Sequence, residues 1–356
     1  MIRLSQRTLE KNEDVSLFPG YGQSIGDGSH WRFEINGAIY DPEDITLRKR
    51  MLLRVLGRVM KIEKKWLQSP IFQERIRAFI ASTERGKCVA IRIGDRVVPL
   101  QRKTKRNGHF AGSFLLSQNE IASLTAARHI VNGCLTYEVV TEEHDTRLFR
   151  GRAFMLERTG LSVVSDIDDT IKQTHVTSRR ELVANTFFRR FRSVDDIAAV
   201  YQNWADSGAA FHYVSSSPWQ LLKPLDDLFT KLALPSGSMH LRNFMLRDQM
   251  LRRVLLFRRK GKATAIRKLL KTFPDREYIF VGDSRERDPE IYAKICHKFP
   301  GQVSAIFIRE WEDRPMDAER MEKLAHHCGD TICYAFSSAE ELRELSEPFF
   351  AACAAC

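Results

Sequence analysis

The pattern of hydrophobic and polar positions changes near residue 157 of this 356-residue chain. Before that point, short apolar runs alternate with polar residues and end in turn-forming residues, which is typical of β-strands. An Asn36-Gly37 pair predicts a two-residue hairpin turn between early strands. Further strands are predicted at 88–100, 109–117, 134–140 and 146–157. We therefore expect a β-rich, sandwich-like domain over residues 1–157.

One segment of that region has helical periodicity instead. Apolar residues between positions 45 and 67 recur at spacings of three and four, and basic residues fill the positions between them. A basic amphipathic helix of this kind can lie on an anionic membrane. Packing against its own domain is the commoner arrangement, and the sequence leaves both open. The basic residues that recur along one face are Arg54, Arg58, Lys61 and Lys65.

Beyond residue 157, strand-like and helical segments alternate. A strand-like run at 161–165 is followed by others at 209–218, 277–283 and 302–310, and helical segments separate them at 179–207, 219–232 and 262–272. Such alternation predicts a parallel sheet with helices on both faces, and right-handed crossovers place the carboxyl ends of the strands at one edge. We expect an α/β domain over residues 158–345 and a tail over 346–356.

Composition and charge narrow the classes of function. The hydrophobic content of 43% predicts a buried core, and the net charge of +11 predicts an anionic partner: nucleic acid, a membrane surface or a phosphorylated substrate. No secretion-signal pattern and no uncharged run of about 18 residues occurs. The seven cysteines lack a disulfide-like spacing. We expect a cytoplasmic protein. Cys353 and Cys356 fit a metal-binding pair or a prenylation box only loosely, so a small-residue tail is preferred.

The stretch DIDDT at 166–170 carries the clearest chemistry. It follows a buried apolar strand, and Asp166 and Asp168 are two positions apart, so both carboxylates can reach one small volume. Two carboxylates that close require a cation or a shared proton. One alternative is an ordinary polar strand end with solvated acids. A calcium loop is excluded because Ile171 stands where a glycine is needed and Thr177 where a glutamate is needed.

Three further polar signals follow predicted strands or open predicted helices. They are Ser215 at the end of YVSSSP, Lys262 at the start of a helix, and the segment GDSRERD at 282–288. In a parallel sheet, all four signals converge at the edge where ligands bind. Bland alternatives exist for two of them, because Ser216 and Ser217 are good helix caps and Lys262 lies among other basic residues.

This ordered set resembles the haloacid dehalogenase superfamily of phosphotransferases. More closely, residues 160–311 are similar to the catalytic domain of the actin-patch-associated phosphatidate phosphatase family, which is distantly similar to lipin. The resemblance implies a Rossmann-like parallel sheet. It is carried by GLSVVSDIDDTIKQTHVTSRREL, NTFFRRFRSV, FHYVSSSPWQL, MHLRNF and FVGDSRERDPEIY.

The resemblance also implies roles for single residues. Asp166 would be the nucleophile that forms an aspartyl-phosphate, and Asp168 the general acid and base, with a pKa raised by crowding against Asp166. Ser215, Ser216 and Lys262 would bind the phosphoryl oxygens. One departure is Arg285, where the family usually has a small residue. Mg²⁺ would be held by Asp166, Asp168, Asp283 and Asp288.

The resulting hypothesis is a Mg²⁺-dependent phosphatase that converts phosphatidate to diacylglycerol, with possible attachment to the surface of an anionic membrane. The alternatives are a phosphatase for a protein or nucleic-acid phosphate, and a non-catalytic module that binds lipid phosphate. The presence of Asp168 favours turnover over binding alone. No specific nucleic-acid partner is predicted.

Overall fold

A computed structural model describes residues 9–42, 68–242 and 260–351. It divides into two compact units, with the boundary between Glu157 and Arg158. The predicted basic helix at 45–67, with Arg54, Arg58, Lys61 and Lys65, lies outside the described residues, as do Cys353 and Cys356.

In the first unit, the described residues form a nine-stranded mixed sheet. The pairing order is β3-β2-β1-β9-β8-β4-β5, with β6 also paired to β2 and β7 to β8, and β1 runs parallel to β9. The strands are β1 Asp14–Ile25, β2 His30–Asp41, β3 Ser82–Thr83, β4 Ala90–Ile93, β5 Arg96–Pro99, β6 His109–Ser117, β7 Ile130–Val131, β8 Cys134–Val139 and β9 Arg150–Leu156.

This sheet curls until its two ends meet. β5 and β6 lie at opposite ends of the pairing order, yet a Cβ added to Gly112 of β6 would lie 2.7 Å from Leu100, directly after β5. The curled sheet encloses one apolar cluster that includes Phe33, Ile91 and Phe114. The predicted β-rich character is confirmed, and the described strands form one sheet.

The hairpin predicted at Asn36-Gly37 is wrong. β2 passes through both residues, and the turn between β1 and β2 contains Gly26 and Gly28, with φ of 65° and 90°. Gly37 serves a close approach instead. A Cβ at this position would lie 2.5 Å from the Phe110 ring and 2.7 Å from the Ser16 carbonyl oxygen.

The second unit contains a six-stranded sheet in which every described pairing is parallel, in the order β12-β11-β10-β13-β14-β15. The prediction of an α/β unit with a parallel sheet is confirmed. Its strands are β10 Leu161–Ser165, β11 Ala210–Pro218, β12 Gly237–Arg242, β13 Glu277–Asp283, β14 Val303–Arg309 and β15 Ile332–Phe336.

The described α-helices of both units are numbered together along the chain. The first unit contains α1 Pro70–Ile80 and α2 Gln118–Ala126. The second unit contains α3 Arg179–Phe187, α4 Ile197–Asp206, α5 Leu222–Lys231, α6 Lys260–Thr272, α7 Asp288–Lys298, α8 Ala318–Cys328 and α9 Ala339–Ala351.

Ring contacts show that helices cover both faces of the parallel sheet. Phe280 of β13 packs against Tyr292 of α7, and Phe307 of β14 packs against Trp204 of α4. Phe280 is in register with Ile306. Because successive residues of a strand point to opposite faces, Phe307 and Phe280 lie on different faces. Helices α4 and α7 therefore cover opposite sides.

Two sequence predictions for this unit are wrong in detail. The single helix predicted at 179–207 is two helices, α3 and α4, because the segment between them pairs with the turn after β10: Lys172 forms a β-bridge with Ser193. Residues 346–351, assigned to the tail, belong to α9, where Phe350 stacks on Trp204 with centroids 4.6 Å apart.

Among the described residues, no helix combines the length and the low polarity that crossing a bilayer would need.

Candidate active site

The site lies where the three adjacent strands β11, β10 and β13 end. Strand β10 is buried along its whole length, and Asp166 follows its last residue. The chain then turns sharply at Asp169, whose φ is 59°. The Asp169 carboxylate accepts backbone N–H bonds from Thr174, His175 and Val176 at 2.7–2.8 Å. This clamp fixes the returning loop, so the side chains of residues 166–174 are held beside the strand end.

Asp166 is fully buried and bound to a buried lysine. Lys262, near the start of α6, places its ammonium 2.7 Å from Asp166 Oδ1 and also contacts Asp288 Oδ1. The Thr170 hydroxyl donates to Asp166 Oδ2 at 3.3 Å. The structure therefore brings together Asp166 and Lys262 as predicted. The interpretation of Lys262 as a solvated charge is wrong, because its side chain is 1% exposed.

Four carboxylates surround this lysine. Asp166, Asp283, Glu286 and Asp288 each offer an oxygen within 4.8 Å of the others, a spacing compatible with one metal ion. Asp283 Oδ1 accepts backbone N–H bonds from Arg285 and Glu286, while its Oδ2 is buried without a hydrogen-bond partner. A buried carboxylate oxygen with no donor is costly, so the site is suited to a cation at this atom.

The same crowding shifts the acid equilibria. Burial, and then the neighbouring carboxylates, raises the pKa of Asp283 well above its usual range. Burial raises the pKa of Asp166 and of Asp288 as well, against the lowering effect of Lys262. The pKa of Glu286 rises to about 7, mainly through burial. One ammonium facing four carboxylates leaves an excess of negative charge, which a divalent ion with oxygen ligands, such as Mg²⁺, would neutralise.

Gly282, which has no side chain, makes room for Asp288 beside the end of β13. Gly282 ends the apolar part of β13, and a Cβ at that position would collide with Asp288 Oδ2. Asp288 Oδ2 in turn accepts the backbone N–H of Asp283 at 3.2 Å. The glycine in the GDS motif therefore lets α7 deliver Asp288 against the end of β13.

The carboxylate of Asp168 lies outside this acidic group, so the structure does not bring it together with the other predicted metal ligands. Its Oδ2 accepts hydrogen bonds from Ser215 at 2.6 Å and Ser217 at 2.7 Å. Its Oδ1 accepts one from Thr174 at 2.8 Å and lies 2.8 Å from the Lys172 ammonium.

The expected rise in the pKa of Asp168 is wrong. Burial alone would raise it, but the charge of Lys172 and the hydroxyl donors outweigh burial and hold the pKa of Asp168 well below its usual range. The arrangement shown here therefore stabilises Asp168 as a carboxylate, the form that can accept a proton.

The three serines near the end of β11 have different partners. Ser215 is buried, donates to Asp168 and accepts the backbone N–H of Ser217 at 2.8 Å. Ser216 donates to Glu286 Oε2 at 3.4 Å. The following short 3₁₀ helix has no side-chain cap, so the capping interpretation of Ser216 and Ser217 is not what the structure shows.

Sequence reasoning missed Glu286, Ser217, Lys172 and Thr174. Glu286 had a signal, because it lies between two predicted ligands in GDSRERD. Arg285, the departure from the family, is 8% exposed, stacks 4.0 Å over the Trp311 ring and pairs with Asp313 at 2.7 Å. The loop after β14 holds this side chain, and its Nη1 also lies 3.8 Å from Asp169 Oδ1.

Residues 161–310 match the family model described as the catalytic domain of phosphatidate phosphatase APP1. This match covers 150 of the 356 residues of the chain. The predicted resemblance to the actin-patch phosphatidate phosphatases is confirmed.

Two yeast proteins are similar to the same region. The chain is 34% identical over 154 residues to phosphatidate phosphatase APP1 of Saccharomyces cerevisiae. The aligned region covers 42% of this chain and 26% of the yeast protein. It is 29% identical over 174 residues to an uncharacterized protein of Schizosaccharomyces pombe, covering 48% of this chain and 28% of that protein. The chain thus spans only about a quarter of the length of these relatives.

The similarity of this chain to solved structures is weak. A PilB minor pilin variant from Streptococcus sanguinis aligns with 63% of this chain and 75% of its own, at 7% identity and a TM-score of 0.31. A likeness this weak carries no conclusion about fold or function.

Proposed function

We propose that the second unit is a Mg²⁺-dependent phosphatase of the haloacid dehalogenase type, which cleaves a phosphomonoester through an aspartyl-phosphate intermediate. One observation carries the proposal: Asp166 sits at the carboxyl edge of the sheet, bound to Lys262, within a group of carboxylates that includes the unpartnered Asp283 Oδ2. The APP1 family match supports it independently.

Asp166 attacks the phosphorus atom in the first step, and the bond from phosphorus to the leaving oxygen breaks. Lys262 holds the attacking carboxylate at 2.7 Å, and its charge offsets part of the repulsion between this carboxylate and the phosphate. Ser215 and Ser216 lie on the β11 side and can donate to phosphoryl oxygens. Their hydroxyls must then turn away from Asp168 and Glu286.

Asp166, Asp283 and Asp288 would hold Mg²⁺, with Glu286 beside them. When bound, the ion neutralises the carboxylates so that a phosphate dianion can approach.

Asp168 performs the proton transfers. Its protonated form gives a proton to the leaving alkoxide, and its carboxylate then accepts one from the water that hydrolyses the aspartyl-phosphate. The lowered pKa favours the second role in the free protein. An anionic phosphoryl group beside Asp168 shifts it towards the protonated form as substrate binds.

A lipid phosphate, with phosphatidate as the first choice, is the proposed substrate class. The APP1 family match supports this choice. A lipid substrate requires contact with a membrane surface, and the net charge of +11 favours an anionic one. A cytoplasmic location, with attachment to the membrane surface, is consistent with a lipid substrate and with the net positive charge.

A substrate panel tests the proposal. Released phosphate should be measured from phosphatidate in detergent micelles, a phosphopeptide, a 5′-phosphorylated oligonucleotide and a soluble sugar phosphate, with Mg²⁺ and with EDTA. We expect Mg²⁺-dependent release that is fastest from phosphatidate. Faster release from the peptide or the oligonucleotide would favour the alternative phosphatase. Binding of phosphatidate vesicles without any release would identify a non-catalytic module.

A further inference from the structure

Lys172 is a buried cation that the proposed reaction leaves without a role. Its side chain is 1% exposed, and its ammonium lies 2.8 Å from Asp168 Oδ1 and donates to Thr174 Oγ1 at 2.6 Å. The ring of Phe191 covers the ammonium, with its centroid 4.6 Å away. Well-packed apolar residues often stabilise a fold at least as well as a buried ion pair. The buried charge of Lys172 therefore suggests a role for this residue that is exerted on its partner Asp168.

The backbone holds Lys172 against Asp168 independently of this ion pair. The N–H of Asp169 donates to the Lys172 carbonyl oxygen at 2.7 Å, and the N–H of Lys172 donates to the Ile167 carbonyl oxygen at 2.9 Å. A β-bridge ties Lys172 to Ser193 on its other side. The stem of Lys172 thus starts from a fixed point, and its ammonium has a defined position.

The two carboxylate oxygens of Asp168 have different donors: two serine hydroxyls at Oδ2, and an ammonium and a threonine hydroxyl at Oδ1. Ser215 and Ser217 serve Oδ2, and each hydroxyl has a single proton. When Ser215 donates to a phosphoryl oxygen of the substrate, its bond to Asp168 is lost. Ser217 is not among the residues proposed to bind phosphate and keeps its bond to Oδ2. Lys172 and Thr174, which serve Oδ1, face no such competition either, so the ion pair and two hydroxyl bonds remain when Ser215 leaves.

We infer that Lys172 is a positioning residue that, with Thr174, holds Asp168 by its Oδ1. Asp168 Oδ2 then stays in place for proton transfer after the substrate has taken the Ser215 hydroxyl. This role rests on the proposed function, since it gives Lys172 a task only if Asp168 transfers protons.

The experiment compares Lys172→Met with Lys172→Arg and with the control Lys87→Met. Lys87 is also a buried, ion-paired lysine, 3% exposed and 2.8 Å from Glu13, but it belongs to the other unit. With phosphatidate micelles and Mg²⁺, we expect kcat of Lys172→Met to fall by about 100-fold with KM unchanged, as for loss of an acid–base group. Lys172→Arg should recover part of this loss, and Lys87→Met should keep the wild-type kcat.

A double variant separates positioning from general stability. In an Asp168→Asn background, Lys172→Met should cause no further loss, because Lys172 acts through Asp168. Additive losses, or a normal kcat for Lys172→Met, would overturn the inference while leaving the proposed function intact. Should Lys172→Met fail to fold by circular dichroism, Thr174→Val decides in its place by the same criteria. A wild-type protein inactive on the whole panel overturns the proposed function, and this inference with it.

Discussion

At the scale of single residues, the buried Lys262 has more than one carboxylate partner. Asp166 is fully buried and paired with Lys262, but Lys262 also contacts Asp288, so removing the charge of Asp166 does not strand the lysine. The site therefore tolerates neutralisation of one acid better than an isolated buried ion pair would.

Asp166→Asn should abolish turnover and leave the fold intact. The amide keeps the side-chain volume but cannot form an aspartyl-phosphate, so we expect kcat to fall by about 10³-fold or more. Asp275→Asn, at an exposed ion pair with Arg158, is the control. Phosphate release and the melting temperature should be measured together. Wild-type release by the Asp166→Asn protein would contradict the mechanism.

Asp283→Asn should weaken the response to Mg²⁺ without destabilising the metal-free protein. Removing one of four crowded carboxylates relieves repulsion, while the unpartnered oxygen that suits a cation is lost. Mg²⁺ at about 100 times its dissociation constant should stabilise the wild type by about 2.7 kcal/mol and the variant by less. Thermal unfolding with and without Mg²⁺ measures this. Equal stabilisation of both proteins would exclude Asp283 as a ligand.

The sequence predicts part of the site because motifs at strand ends fix where a side chain emerges. Asp166, Asp283 and Ser215 are predictable in this way, since each follows or ends an apolar run. Lys172 and Ser217 are not, because their contacts with Asp168 depend on the path of the loop after β10 and on the irregular end of β11. The lowered pKa of Asp168 is unpredictable for the same reason, because the groups that lower it come from the loop after β10 and the irregular end of β11.

At the scale of strands and helices, apolar runs predicted most strands of both units. The failures have local causes. Asn36-Gly37 has the composition of a hairpin turn, but Phe110 on the neighbouring strand β6 needs the space that Gly37 leaves. The helix predicted at 179–207 is interrupted because Lys172 and Ser193 form a tertiary bridge that no local pattern encodes.

Gly37→Ala should destabilise the first unit by about 1–3 kcal/mol, because the added methyl must displace the Phe110 ring or the Ser16 carbonyl. The control is Gly261→Ala in α6, where a Cβ meets no atom within 4 Å. That change should be neutral or stabilising by about 0.5–1 kcal/mol. Urea unfolding measures both. A neutral Gly37→Ala would show that β2 and β6 can separate without cost.

At the scale of the whole molecule, the alternating pattern predicts a parallel sheet but not its strand order. Order depends on which strands pair over long distances, and the pairing of β10 with both β11 and β13 appears only in the structure. This order creates the site, because it brings the polar ends of three strands side by side.

The buried histidine pair His212 and His240 should contribute stability that is lost as pH falls from about 6.5 to about 4. His212 and His240 share the Ser238 hydroxyl at 2.7 and 2.9 Å. Burial, and then the charge of Lys268, lowers the pKa of His240 to about 4. Burial, and then His240 and Arg276, lowers the pKa of His212 well below its usual range. Because unfolded histidine titrates near pH 6.5, the unfolded state binds more protons in this window and is favoured by acid.

Urea unfolding at pH 7 and pH 5 tests this expectation. Relative to the wild type, His240→Gln should lose less stability, or gain more, between pH 7 and pH 5, because it removes one of the groups that gain a proton on unfolding. His144→Gln, at an exposed position, is the control. An unchanged pH dependence in His240→Gln would assign the acid sensitivity to other groups.

The distance along the chain between Asp166 and its partner Lys262, 96 positions, has a consequence for synthesis. During translation the strand that carries Asp166 is made well before α6, β13 and Asp288. The nucleophile is therefore without its lysine and its companion acids until most of the second unit has left the ribosome. A nascent chain that ends before residue 262 carries DIDDT without Lys262, Asp283, Glu286 or Asp288, so we expect it to bind no Mg²⁺ and to lack the proposed activity.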